Sequence, residues 1–214
     1  MKIVAVNGGP RKGKNTDQML NAFIEGVKAA APEAEVQVIR LYDYTFTGCR
    51  SCFACQLNKN RGDLQCWVKD EITQLLKDAF HADGIVFASP IYYCNVTAQL
   101  RAFWERLQYP GHSPKKIPTA LIYTMNANEE QTEHFMGKPL ELNSWYLEGC
   151  FGVKPEVVCS YDTFQYNDSE RFNAAFREPA ARKKALHDQK FKRDLQNAHD
   201  AGTRLVQKIE EVQK

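Results

Sequence analysis

No apolar run in this 214-residue sequence approaches the roughly 18 uninterrupted residues that a membrane-crossing helix needs, so a transmembrane helix is excluded on length. A dominant charge is missing as well. The 28 basic and 26 acidic side chains leave a formal net charge of +2, too balanced to call for a nucleic-acid partner. No charged leader with an apolar core and small-residue cleavage site precedes the apolar run that begins at Lys2, and a cytoplasmic setting is expected. Internal repeats and low-complexity stretches are absent. The cysteine count, seven, is odd, and a reducing compartment does not support a disulfide framework. Clustered cysteines therefore read as metal, cluster or redox candidates.

What is there is an alternation of apolar runs and amphipathic segments. With 43% hydrophobic residues over this length, one domain spanning 1–214 is expected. "KIVAVNG" reads as a strand, and "NTDQMLNAFIEGVKAA" carries Met19, Leu20, Phe23, Ile24 and Val27 at helical spacing. "EVQVIRLY", "DGIVFASP", "IPTALIYT" and "KPEVVCSY" read as four more strands. Between and after them lie predicted helices over "DEITQLLKDAF", "VTAQLRAFWERL" and "KPLELNSWYLEGCFG", then a long helical region over about 170–212 that Pro179 breaks or restarts. The basic run "REPAARKKALHDQKFKR" reads as a solvated face of that region. Five strands alternating with helices imply a parallel sheet covered on both faces, because parallel neighbours are joined by crossovers. This is an α/β doubly wound fold. Its ligand is expected at the carboxyl ends of the strands, in the loops after the first, third and fourth.

The first of those loops, "NGGPRKGKNT", nearly spells a nucleotide P-loop. That pattern needs Ser or Thr immediately after the lysine to ligate Mg²⁺, and here Asn15 follows Lys14. Thr16 comes one residue late, about 100° further round a helix. The third strand ends in Ser89, Pro90, Ile91, Tyr92 and Tyr93, which offer no carboxylate to a metal but do offer flat and apolar surface. Gly9, Arg11, Asn15 and Thr16 supply the backbone N–H, amide, hydroxyl and cation that hold a phosphate monoester without a metal. The two loops together describe a ligand with one terminal phosphate and one planar head, as flavin mononucleotide has. An ordinary strand-to-helix turn capped by Asn15 or Thr16 is the competing reading, and it leaves Arg11 unexplained. Thr124, Met125 and Asn126, after the fourth strand, are expected to form a third wall.

"GGPRKGKNT" resembles the G-S-P-R-x-x-G-N-T phosphate loop of the NAD(P)H-dependent FMN reductase family, and "SPIYYCNVTAQLRAFWER" is similar to that family's second segment. The resemblance runs from Lys2 to about Tyr161. It implies a flavodoxin-like five-stranded sheet in the order 2-1-3-4-5, with Arg11, Asn15 and Thr16 around the FMN phosphate and Pro90, Ile91, Tyr92 and Tyr93 along the ribityl chain and ring. Gly9, Lys14 and Asn95 are counted with them. They are departures, for Gly9 replaces a serine, Lys14 stands where glycine is common, and Cys94 and Asn95 replace a frequent glycine pair. Glu105 likewise replaces an aspartate.

"GCRSCFACQLNKNRGDLQC", within a loop over about 45–68, places Cys49, Cys52 and Cys55 at two-residue gaps, with Cys66 further on. That spacing lets one loop wrap thiolates around a cluster corner. It resembles the compact four-cysteine run of the iron-sulfur flavoproteins, a 4Fe–4S subset of the same family, but its last gap is longer. Reduced structural thiols are the preferred reading, a 4Fe–4S cluster the second and a zinc site the third. Cys94, Cys150 and Cys159 read as small core residues within apolar strands or helices.

The resulting expectation is an oxidoreductase in which a nicotinamide cosubstrate, NAD(P)H, reduces FMN for onward transfer to a small-molecule acceptor such as a flavin, quinone or nitroaromatic. No side chain is assigned an acid or base role, since the cofactor carries this chemistry. A homodimer or homotetramer is expected. The alternatives are a non-enzymatic electron carrier, with or without a cluster, and a P-loop-like phosphotransferase, which Asn15 disfavours.

Overall fold

In the computed structural model, which describes residues 1–57, 66–107, 113, 115–166 and 179–214, the apolar runs become five strands separated by helices. β1 (Lys2–Asn7) leads into α1 (Asn15–Ala30), β2 (Glu35–Arg40), a 3-10 turn over Leu41–Asp43, α2 (Ala54–Leu57) and α3 (Thr73–His81). β3 (Gly84–Pro90), α4 (Ala98–Leu107), β4 (Thr119–Thr124), α5 (Glu129–Phe151), β5 (Glu156–Ser160) and α6 (Ala180–Val212) follow. All neighbouring strands are parallel, in the order β2-β1-β3-β4-β5. This is the flavodoxin-like order that the resemblance implied.

Register decides where the strands end. Asn7 lies beside Arg40 on one side and Ala88 on the other, Pro90 beside Thr124, and Thr124 beside Ser160. The carboxyl ends therefore share one edge, and the winding reverses between β1 and β3, where such sheets bind ligands.

Alternate residues of each strand enter different cores, as the two-residue period of a strand demands. Val4, Val6, Phe87, Leu121 and Tyr123 pack under α3, α4 and α5 with Leu100, Phe103, Trp104 and Phe151. Ile3, Ala5, Val86, Ala88 and Ile122 pack on the other face with Phe23 and Val27 of α1 and Leu205 and Ile209 of α6. Burial on both faces is why these strands read as continuous apolar runs. No helix among the described residues is long and apolar enough to cross a membrane.

Several boundaries differ from those read in the sequence. The helix expected from Lys138 starts at Glu129, and Pro139 lies inside it. The start is set by a capping box in which the Asn128 side chain accepts from Gln131 N at 2.8 Å while the Gln131 side chain accepts from Asn128 N. The second strand stops at Arg40, where the chain turns into Leu41–Asp43. α2 forms within the stretch read as irregular. Cys94 lies in a tight turn at φ 66°, bridged by Tyr92 and Asn95, and not in a strand or helix. Of the long C-terminal helical region, α6 accounts for Ala180–Val212, with Pro179 as its N-cap residue, and 170–178 lie outside the described residues.

α1 and α6 touch through their backbones. A Cβ at Gly26 would lie 1.8 Å from His199 O, and one at Gly202 would lie 2.0 Å from Phe23 O. Gly26→Ala is therefore expected to destabilise the fold by about 1–3 kcal/mol, overpacking outweighing alanine's better helix propensity. Gly149→Ala, whose new Cβ meets nothing within 4 Å in α5, is expected instead to stabilise by up to about 1 kcal/mol. Urea midpoints at unchanged slope read both.

Candidate functional site

The loop after β1 is held by a buried carboxylate. Asp17, 3% exposed in the first turn of α1, accepts from Gly13 N at 2.5 Å, from Arg40 Nη1 at 2.5 Å and from the Asn7 side-chain amide. Asn7 Oδ1 in turn accepts from Gly9 N at 2.7 Å. One carboxylate thus joins the end of β1, the turn of the loop, the helix start and the end of β2. Gly13 sits at φ +72°, a left-handed backbone that glycine adopts without strain. Gly8 N donates to Ala88 O at 2.8 Å, and Thr97 Oγ1 donates to Gly8 O at 2.7 Å, which seats the loop against β3 and the start of α4.

Around this loop the strand ends form a groove. Gly9, Arg11, Lys14, Asn15 and Thr16 of the first loop meet Pro90 and Tyr92 of the second and Thr124 of β4 there. Thr16 Oγ1 and Thr124 Oγ1 share a hydrogen bond of 2.8 Å. Thr163 and Gln165, after β5, complete the groove, and neither was singled out in the sequence. The carboxyl-end rule that pointed to the other loops applies to the fifth strand as well. Arg11 Nη1 donates to Gln165 O at 2.5 Å and Asn15 Nδ2 to Phe164 O at 3.0 Å. These carbonyl oxygens are acceptors of the kind a phosphate offers, at the side chains with the right donors. Lys14, at the N-cap of α1, makes no side-chain cap hydrogen bond.

The remaining sequence-assigned residues, Ile91, Tyr93, Asn95, Met125 and Asn126, are not among those lining the groove. Ile91 is 9% exposed and belongs to the core under α4. Tyr93 is wholly exposed, at φ 46°. Asn95 Oδ1 accepts from Val96 N and from Asn143 Nδ2, at 2.8 and 2.9 Å. The Met125 side chain is buried, its Sδ accepting from Thr132 Oγ1. Asn126 O accepts from Lys183 Nζ at 2.8 Å, and the same ammonium pairs with Asp162 at 3.0 Å. Burial acts to raise the Asp162 pKa, but Lys190 and Lys183 outweigh it and hold the carboxyl below the ordinary range. With Thr163 N on Met125 O at 2.9 Å, this pair braces the loops after β4 and β5 from α6.

A second cavity lies at the far end of α4. Cys49, Cys52, Cys55 and Cys66 all line it, with Trp67, Glu105 and Arg106. All seven cysteines of the chain are free thiols. Burial pushes the Cys55 thiol up, and the other three add to the shift. Among the described residues no group of three or more His, Cys, Asp or Glu side chains is set to hold a single metal ion.

The model of the NADPH-dependent FMN reductase family matches residues 1–147. The chain belongs to that family. It is accordingly an oxidoreductase that works with FMN and a reduced nicotinamide. An iron-sulfur flavoprotein of Archaeoglobus fulgidus is 31% identical over 173 residues, covering 76% of this chain and 74% of that protein. A second iron-sulfur flavoprotein of the same organism is 39% identical over 106 residues, and this match spans about half of each protein, 50% and 48%. Among solved structures, an NAD(P)H:quinone oxidoreductase from Methanothermobacter marburgensis superposes with a TM-score of 0.64 at 18% identity, over 96% of both chains, a likeness of fold.

Asp17→Ala is expected to lower stability by about 2–3 kcal/mol, since it leaves Arg40 and Gly13 N without their acceptor. It should also weaken FMN binding, because the loop loses its tie to α1. Denaturant unfolding and fluorescence titration with FMN measure the two effects.

Proposed function

We propose that the groove between the loops after β1, β3 and β4 holds FMN, with Arg11, Asn15, Thr16 and the first turn of α1 on its phosphate. Pro90, Ile91, Tyr92, Tyr93 and Asn95 then flank the ribityl chain and ring, and Thr124, Met125 and Asn126 contribute the third wall, Met125 through its backbone. The observation that carries this reading is the convergence of a guanidinium, an amide and a hydroxyl on one groove at the switch point of the sheet. Arg11 has five N–H donors, so it can meet a phosphate and keep a contact to Gln165 O. Bound there, FMN would supply the redox chemistry that carries electrons from NAD(P)H to a flavin, quinone or nitroaromatic acceptor. The protein's part is to bind, orient and shield the ring.

The cysteine cavity favours a second reading, in which the flavin shares its electrons with a 4Fe–4S cluster on Cys49, Cys52, Cys55 and Cys66. Four thiols line one space, yet among the described residues no group is set for a single ion, as a tetrahedral zinc site with sulfurs about 2.3 Å from the metal would be. A four-iron cluster is larger and sets its ligands further apart. The iron-sulfur flavoprotein relatives support this reading over the structural thiols that the long final gap favoured. A homodimer or homotetramer in a reducing, cytoplasmic setting completes the proposal. The exposed Phe135, Leu142 and Trp145 of α5 and the free thiols support it.

The purified protein is expected to be yellow and to release FMN, not FAD, on denaturation. Arg11→Ala should weaken FMN by about 1.5–3 kcal/mol, one to two decades in Kd, and leave riboflavin binding nearly unchanged. Equal losses for both ligands would remove Arg11 from the phosphate. NAD(P)H oxidation assayed with flavin, quinone and nitroaromatic acceptors identifies the second substrate. For the cluster, anaerobic purification should yield close to four irons and four sulfides per chain, lost in Cys52→Ser. Thiols without iron would return the cavity to a structural role.

A further inference from the structure

The cysteine cavity contains a group that the thiolate ligands alone do not account for. Arg106, in the last turn of α4, is 1% exposed. Its Nη1 pairs with Asp70 and reaches Thr47 O at 3.5 Å, and its Nη2 donates to Val68 O at 2.9 Å. Thr47 and Val68 bracket the cysteine segment, so one guanidinium fastens both of its ends. The neighbouring Glu105 accepts from Cys49 N at 3.2 Å, so the end of α4 grips the segment twice. Asp70 is itself fixed, since its Oδ1 accepts from Ile72 N at 3.3 Å ahead of α3.

One donor of this clasp is left over. Arg106 Nε is buried and has no acceptor among the described residues, while the side chain lines the cavity and lies beside Cys66. A buried N–H without an acceptor is costly, and natural structures seldom retain one without a use. Of the acceptors on the cavity lining, the Glu105 carboxylate already takes Cys49 N at 3.2 Å, and the one beside Arg106 is the Cys66 sulfur.

We propose that Arg106 is a positioning residue that raises the reduction potential of a cluster on Cys49, Cys52, Cys55 and Cys66, its Nε–H donating to a cluster or cysteine sulfur. This rests on the cluster reading above. Hydrogen bonds to sulfur and local net charge are two of the levers that set such potentials. One-electron reduction adds a negative charge to a thiolate-bound cluster, and a buried cation beside it stabilises the reduced form more than the oxidised one, strongly so where water is excluded. Asp70 opposes the effect, because its carboxylate offsets part of the guanidinium charge.

The test is a dithionite titration of anaerobically reconstituted wild-type, Arg106→Gln and Asp70→Asn proteins, followed by electron paramagnetic resonance, with iron and sulfide determined in each. Arg106→Gln is expected to shift the reduction equilibrium at least tenfold toward the oxidised cluster, a fall of about 59 mV for a one-electron couple. Asp70→Asn is expected to shift it the opposite way. A clasp that only holds the segment closed would change iron content and leave the potential of loaded protein where it was, and that result overturns the proposal. Should Arg106→Gln fail to fold or load, Asp70→Asn decides alone, an unchanged or lower potential overturning it. Wild-type protein that takes up no iron overturns the cluster reading and this inference together, and the iron analysis tells that failure from the other.

Discussion

The buried carboxylate of Asp17 is the interaction on which the candidate site depends. A loop between a strand and a helix has many conformations open to it, and fixing each residue costs on the order of 1–2 kcal/mol of backbone entropy. Asp17 offsets that cost by accepting from Asn7, Gly13 and Arg40, which lie on the strand end, the loop and the neighbouring strand. Arg40 reaches it because β1 and β2 are parallel and in a register that sets Asn7 beside Arg40. With the loop shape settled, Arg11, Asn15 and Thr16 can face the same groove.

The rest of the site is braced from elements distant in the chain. α6 packs its backbone onto α1 through Gly26 and Gly202, and it sends Lys183 to Asn126 O and Asp162. Lys183 is 5% exposed, and the pairing of its ammonium with a carboxylate and a carbonyl is what makes such burial tolerable. α4 serves two centres. It starts beside the first loop, where Thr97, just ahead of it, donates to Gly8 O, and Arg106 in its last turn holds the cysteine segment. A helix of ten residues therefore sets the distance between the groove at the strand ends and the cysteine cavity.

Much of this was legible in the sequence, for identifiable reasons. The apolar runs of β1, β3 and β4 announce strands buried on both faces, and α1 was bounded correctly because its apolar residues keep helical spacing. The polar residues of the first loop were legible because they lie at short separation in the chain. The helix read from Lys138 begins instead at Glu129, because the capping box of Asn128 and Gln131 sets the boundary. Cys94 was misplaced because a positive φ at a non-glycine residue leaves no mark in composition.

By itself the sequence determined the five strands and the longer helices, the parallel sheet, the family resemblance and the polar residues of the first loop, all properties of residues close together in the chain. Only the tertiary structure decided which distant groups meet. It brought Thr163 and Gln165 to the groove, paired Asp17 with Arg40 and Asp162 with Lys183, gathered four thiols about one cavity and set Arg106 beside them. Such pairings follow from strand register and helix docking, which are settled by packing of the whole core and by the need to neutralise each buried charge. Neither is written in any local pattern.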